Sequence, residues 1–335
     1  MDMDMIALRT AALAGILAAY AHPSLALVIN ASYDSSITGL SNASQVEQSF
    51  QQAETVLGSL FANPVTVNIN VSWGSIAGQP MASNALGNSS SSLYGYYSYA
   101  SIKSLLAQSA TTASDQSAYA SLPSSAPAGQ SRYVISSAQA KALGVIAPTG
   151  GVDGSIGFGS GVAYSYDPAS VAPGTYDFVA VAEHEITEIL GRISGLSSAT
   201  PSFATVEDLF RYSSAGVRSW DYGTSSYFSI DNGATDLANF NHSSGGGDRA
   251  DWLSTTATND VADAFTYSGT HGVLSTLDQT VLDVIGWGST GTGTGGASVV
   301  TTQQGLEATV PEPGSLILVA GGLAAIGLGR RRRAR

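Results

Sequence analysis

Apolar residues recur along this chain with a helical period in some stretches and with strict alternation in others, and the two periods map most of its elements. From Ser44 to Phe61, Val46, Phe50, Ala53, Val56, Leu57 and Leu60 line one side of a helix. Pro64–Ser72 alternates, with Val65, Val67, Ile69 and Val71 on one face of a half-buried strand. Leu27–Asn30 reads as a first strand, Leu86–Tyr99 as a Ser/Tyr-rich edge, and Tyr133–Ile135 as a short strand. Ser101–Ala110 and Ser137–Leu143 read as helices. Asp153–Tyr166 is a strand broken by glycines. A strongly apolar helix follows over Asp177–Arg192, with Gly191 at its end, where glycine permits a left-handed turn. Glu207–Tyr212, Tyr227–Ile230 and Leu237–Phe240 alternate between strand and turn, Gly245–Trp252 is a glycine-rich acidic loop, and Leu274–Trp287 is a closing helix.

The apolar helix carries the chemistry. His184-Glu185-Ile186-Thr187-Glu188 reads HExxE, and residues four apart share a helix face. His184 and Glu188 can therefore hold one metal ion while Glu185 reaches a water as general base. Carboxylates on an otherwise apolar helix are costly to bury unless something compensates their charge, which a divalent cation would do. Arg192 follows the helix and either pairs with a carboxylate or complements the helix dipole. The chain has no cysteine, which excludes disulfides, thiolate ligands and a thiol nucleophile. Between Leu27 and Thr290, 21 acidic residues against seven basic ones leave the body near −14, against −12 for the whole chain. That balance argues against a nucleic-acid partner.

Both ends carry targeting patterns. Arg9 precedes the apolar run Ala11–Ala21, and Ser24-Leu25-Ala26 offers small residues at a cleavage site, so residues 1–26 read as a signal peptide. At the other end, Val310-Pro311-Glu312-Pro313-Gly314 precedes the apolar stretch Leu316–Leu328 and the basic cluster Arg330–Arg333 with Arg335. This order resembles the PEP-CTERM sorting signal over residues 310–335. The resemblance implies an exosortase-type processing enzyme as partner and an exported, cell-surface or exopolysaccharide-associated protein. Contact with the inner membrane would be transient and through the tag alone, whose transmembrane stretch is shorter than the roughly 20 residues of a comfortable span. Residues 288–309, rich in Gly and Thr, read as a linker, leaving 27–287 as one body.

The body resembles a family of bacterial metzincin-like (zincin) metalloproteases that often carry PEP-CTERM tails. The matching segments are Leu27–Ile37, Asp153–Phe158, the HExx helix, Asp208–Tyr212, Tyr227–Gly233, Gly246–Trp252 and Leu277–Trp287. The resemblance implies an α+β zincin catalytic domain: a twisted mixed sheet with an active-site helix above a loop-rich lower subdomain. It implies a secreted Zn²⁺-dependent endopeptidase acting on a protein or peptide substrate, with Glu185 catalytic. Glu188 stands where the family has its second histidine, and Asp251, before Trp252, stands at the downstream histidine position. Ser194 is a poor ligand at the third-ligand spacing, and no methionine follows Met81. The metal set becomes His184, Glu188 and Asp251, with His242, Asp248 and Glu207 as alternatives to Asp251, and His271 more remote. One imidazole and two carboxylates hold zinc less selectively, which admits Mn²⁺, Fe²⁺ or Ca²⁺. Two rival readings are a catalytically silent zincin-fold matrix or adhesion protein and a Ca²⁺-binding surface protein.

Overall fold

A computed structural model describes residues 26–196, 203–244, 246–254 and 259–290. The signal peptide before the proposed cleavage site, most of the linker and the whole sorting tag lie outside the described residues. Among the described residues, no helix is long and apolar enough to cross a membrane.

The principal sheet has four strands: β1 (Val28–Tyr33), β2 (Thr66–Trp73), β3 (Gly87–Ser91) and β4 (Gly154–Phe158). Their spatial order is β1-β2-β4-β3. The first three in space run parallel, and β3 closes one edge antiparallel to β4. The alternation in β2 is borne out, because Val67, Ile69 and Val71 are buried. Helix α1 (Ala43–Leu60) and the motif helix α2 (Phe178–Ile189) pack on this sheet. Phe50 of α1, Phe158 of β4 and Phe178 of α2 meet at ring-centroid distances of 6.1 and 4.4 Å. Each such ring contributes roughly 1.5–3 kcal/mol by leaving water.

The chain is thus a mixed α+β fold with several sheets. A second four-stranded sheet is antiparallel and built from Arg211–Ser214, Val217–Arg218, Tyr227–Phe228 and Ala238–Asn239. The predicted glycine-broken strand divides into β4 and the two-residue strand Tyr164–Ser165. Two helices escaped the apolar pattern: the single turn Ser35–Thr38, and the longer Ala113–Ser121. The latter buries little apolar surface and is set by a capping box in which Thr112 and Asp115 each satisfy the other's backbone N–H. The closing helix α3 (Thr276–Val284) starts with the same device, Ser275 with Asp278. Ordered pairing runs past Trp287: the Ala62 N–H donates to the Gly288 carbonyl at 2.7 Å, and that of Thr290 to Leu60 at 2.9 Å. Gly288 and Thr290 are thus held against the body at the end of α1.

One ion pair ties the sheet to its surroundings. Lys141 Nζ lies 2.5 Å from Asp153 Oδ2 and donates to the Thr66 carbonyl at 2.8 Å, both side chains being almost wholly buried. Asp153 also accepts from the Asn68 N–H at 2.8 Å and the Ser137 hydroxyl at 2.7 Å. Removing one partner leaves the other charge buried and unmatched, so Lys141→Met is expected to lower stability by about 3–5 kcal/mol. Denaturant unfolding measures this, and a loss below about 1 kcal/mol would remove the pair from the account of the fold.

Candidate metal centre

Helix α2 starts where Asp177 caps it. Asp177 Oδ1 accepts from the N–H groups of Val179 and Ala180 at 3.0 and 3.2 Å. Its Oδ2 accepts from Gly272 N–H at 3.3 Å and meets His271 Nδ1 at 2.7 Å. That carboxylate raises the pKa of His271 against the opposing effect of burial. All twelve residues of α2 are buried, including Glu183, His184, Glu185 and Glu188. Gly191, with φ of 111°, turns the chain at the end of the helix, as its sequence position implies.

His184, Glu188 and Asp251 come together, each offering one ligand atom within 4.8 Å of the others. His184 Nε2 is 3.8 Å from Glu188 Oε1 and 3.7 Å from Asp251 Oδ1. The second polar atom of each residue is tied to the protein. His184 Nδ1 lies 2.6 Å from the Val261 carbonyl, which makes Nδ1 the donor and turns Nε2 to the centre as the basic nitrogen. The Ser89 hydroxyl donates to Glu188 Oε2. The Asp248 N–H donates to Asp251 Oδ2 at 3.0 Å. Metal-binding side chains are held by hydrogen bonds of this kind, which fix tautomer and direction. The donor set thus fits a divalent cation, whose two charges would match the two carboxylates.

Glu185 lies against strand β3. A Cβ added at Gly87 would fall 2.2 Å from Glu185 Oε1, so the absence of a side chain there leaves the room that the Glu185 carboxylate occupies. Ser89 and Ser91, on the same side of β3, meet Glu188, Ser91 Oγ donating to its backbone carbonyl at 3.0 Å. These β3 residues escaped notice in the sequence. The only local signal is a Gly and two Ser at period two in an edge strand.

The remaining candidates stand apart. Asp248 contributes its backbone amide to the centre, while its own carboxylate accepts from the Arg249 N–H at 2.6 Å. Burial, then the charge of Asp251, pushes the Asp248 pKa up to about 6. His242 Nδ1 sits 3.2 Å from the Phe240 carbonyl, and His271 is engaged at the N-cap of α2. Ser194 donates to Asp208 at 2.7 Å and holds the turn after α2. Arg192 is more than a helix-end charge. It is fully buried, sits 4.7 Å over the Trp252 ring, and places Nη1 3.7 Å from Asp251 Oδ1.

The family model of the PEP-CTERM protein-sorting motif matches residues 309–333. The chain is accordingly an exported protein with a C-terminal membrane-anchoring tag, and an exosortase is its processing partner. No curated relative and no solved structure matches the chain.

Glu207 is buried behind the centre, where burial raises its pKa to about 8 although Arg192 and Arg211 pull it down. A carboxyl with a folded pKa above its ordinary 4.5 holds its proton more tightly when folded. Its contribution is fully present below about pH 4.5 and is lost as pH rises through 8. Metal-stripped protein should therefore lose on the order of 1–3 kcal/mol through this group between pH 5 and 9. Glu207→Gln should flatten that part of the profile in thermal unfolding. An identical slope in the variant would assign the pH dependence elsewhere.

Proposed function

We propose that the body is a zincin-type metal-dependent endopeptidase in which His184, Glu188 and Asp251 hold a divalent cation, with zinc as the first candidate. The observation that carries this reading is the convergence of Nε2, Oε1 and Oδ1 while the other polar atom of each residue is tied by Val261, Ser89 and Asp248. One mixed sheet bearing the metal helix, with a C-terminal region supplying the third donor, is consistent with a zincin-like fold. A cation held there would acidify water and polarise a peptide carbonyl. Glu185, one residue along from His184 and seated against Gly87, takes the proton from water and returns it to the departing amine. Protein or peptide chains are the substrates.

A second reading is favoured by one observation. His184, Glu185, Glu188 and Asp251 are only 0–3 % exposed. A closed centre suits a structural cation in a catalytically silent surface or matrix protein, which needs no entry for substrate. The two readings separate on Glu185. In an endopeptidase, Glu185→Gln lowers turnover of an unfolded protein substrate by about 10²–10⁴-fold, and the metal content found by mass spectrometry stays at one ion per chain. Chelation abolishes cleavage, and zinc restores it. Metal bound without cleavage in the wild type selects the silent reading with a structural cation, and wild-type protein that binds no metal removes the metal centre and leaves a metal-free silent fold.

A further inference from the structure

We propose that Ser89 and the Asp248 amide make this centre selective for a small, four-coordinate cation over calcium, by restricting each carboxylate to a single donor oxygen. The inference rests on the metal-centre reading and deepens it.

Charge alone would point the other way. Two carboxylates and one imidazole form a harder donor set than three imidazoles, and hard oxygen donors suit calcium. Calcium, however, takes six to eight oxygens at about 2.3–2.6 Å and uses carboxylates in the bidentate mode to reach that number. Zinc is satisfied by three protein donors at about 2.0–2.2 Å and one further position. The number of oxygens that Glu188 and Asp251 can turn inward therefore decides between the two ions.

Each turns one. Glu188 Oε2 receives the Ser89 hydroxyl, and Asp251 Oδ2 receives the Asp248 N–H at 3.0 Å. The oxygens facing His184 Nε2 are Glu188 Oε1 and Asp251 Oδ1. Ser89 is 2 % exposed and Asp248 6 %, so water does not compete for either hydrogen bond. Rotating a carboxylate to bring both oxygens onto one ion would swing its second oxygen out of line with a buried hydroxyl or amide and weaken that hydrogen bond, a loss that calcium would have to offset. Ser91 adds a backbone tie, donating to the Glu188 carbonyl at 3.0 Å, so the residue cannot slide to relieve the geometry.

Ser89 also fits a glutamate at position 188 rather than a histidine. A ligating imidazole needs an acceptor at its second nitrogen, as His184 has in the Val261 carbonyl. A ligating carboxylate needs a donor at its second oxygen, and a serine hydroxyl supplies it. Donor and supporting group are matched at both ends of the HExxE face.

The test titrates the purified, chelator-stripped protein with Zn²⁺ and with Ca²⁺. Wild type is expected to bind Zn²⁺ at least about 10³-fold more tightly than Ca²⁺. Ser89→Ala should lower that ratio by about 10–100-fold, with calcium bound more tightly than in wild type as Glu188 gains the bidentate mode; a ratio that falls through weaker zinc binding alone overturns the proposal. Ser89→Thr, which keeps the hydroxyl, should stay within about threefold of wild type. A ratio unchanged in Ser89→Ala overturns the proposal. So does a wild type that binds Ca²⁺ as tightly as Zn²⁺, a result that needs no variant to fold. A wild type that binds neither ion fails the metal-centre reading itself, and the inference falls with it.

Discussion

Burying an acid-rich helix in an apolar core is the constraint from which most of this structure follows. Helix α2 is buried along its whole length, yet it carries Glu183, Glu185 and Glu188 beside His184. Placing an ionised carboxylate in such surroundings costs several kcal/mol unless charge or hydrogen bonds compensate it. The three acids meet that cost in different ways. Burial, followed by the charges of Asp177 and Asp278, pushes the Glu183 pKa up to about 8, so it keeps its proton at neutral pH. Glu185 finds room beside a glycine of β3, and a cation at the centre would offset its charge. Glu188 takes the Ser89 hydroxyl on one oxygen and directs the other toward His184.

The same economy governs acids away from the helix, where aspartates serve as clamps on backbone N–H groups. Asp177 caps α2 and holds the segment at Gly272. Asp208 gathers the N–H groups of Gly195 and Thr205 at 3.0 and 2.9 Å, fixing the turn that follows α2. Asp278 closes the capping box of α3 and accepts from Trp252 Nε1 at 2.9 Å, beside Asp251. This internal use of acids changes the meaning of the composition. Thirteen of the 21 acidic residues and four of the seven basic ones in the body are buried, which leaves eight against three, a surface near −5 rather than −14. The exterior remains acidic, but its repulsion of phosphate is weaker than the sequence total implies.

Legibility in the sequence tracks how local the responsible physics is. Strand β2 and helices α1 to α3 were readable because burial imprints a period of two or 3.6 on neighbouring residues, whereas β1, which alternates poorly, was readable from its β-rich composition. His184 and Glu188 were readable for the same reason, since one turn of helix brings them together. Asp251 came from the order of segments and its neighbouring Trp252. Ser89, Gly87 and Val261 were not readable. Their roles depend on β3 pairing antiparallel to β4 and on a loop reaching back over 77 residues, and neither leaves a local pattern. Arg192 shows the intermediate case. Its position after a helix suggested a dipole partner or a carboxylate pair, and its place between Trp252 and Asp251 depends on where the acidic loop lands.

That loop also connects selectivity with access. Asp251 is held through its side chain by the Asp248 amide, through Trp252 by Asp278 at the start of α3, and electrostatically by Arg192. A cation shared between α2 and this turn would join the sheet-bearing half of the body to its C-terminal half, so binding it would stabilise both together. Hydrolysis asks for something further, a coordination position open to water and then to substrate. With the donors and Glu185 only 0–3 % exposed, that position becomes available only when neighbouring backbone moves aside. The groups that would have to give way include β3 and the Val261 segment, and these are the elements that hold Glu188 and His184 in register. Opening that loosened them would weaken metal binding at the moment of turnover. An active enzyme built this way must open at a side away from Ser89, Val261 and the Asp248–Asp251 turn, because each of them holds one donor in register.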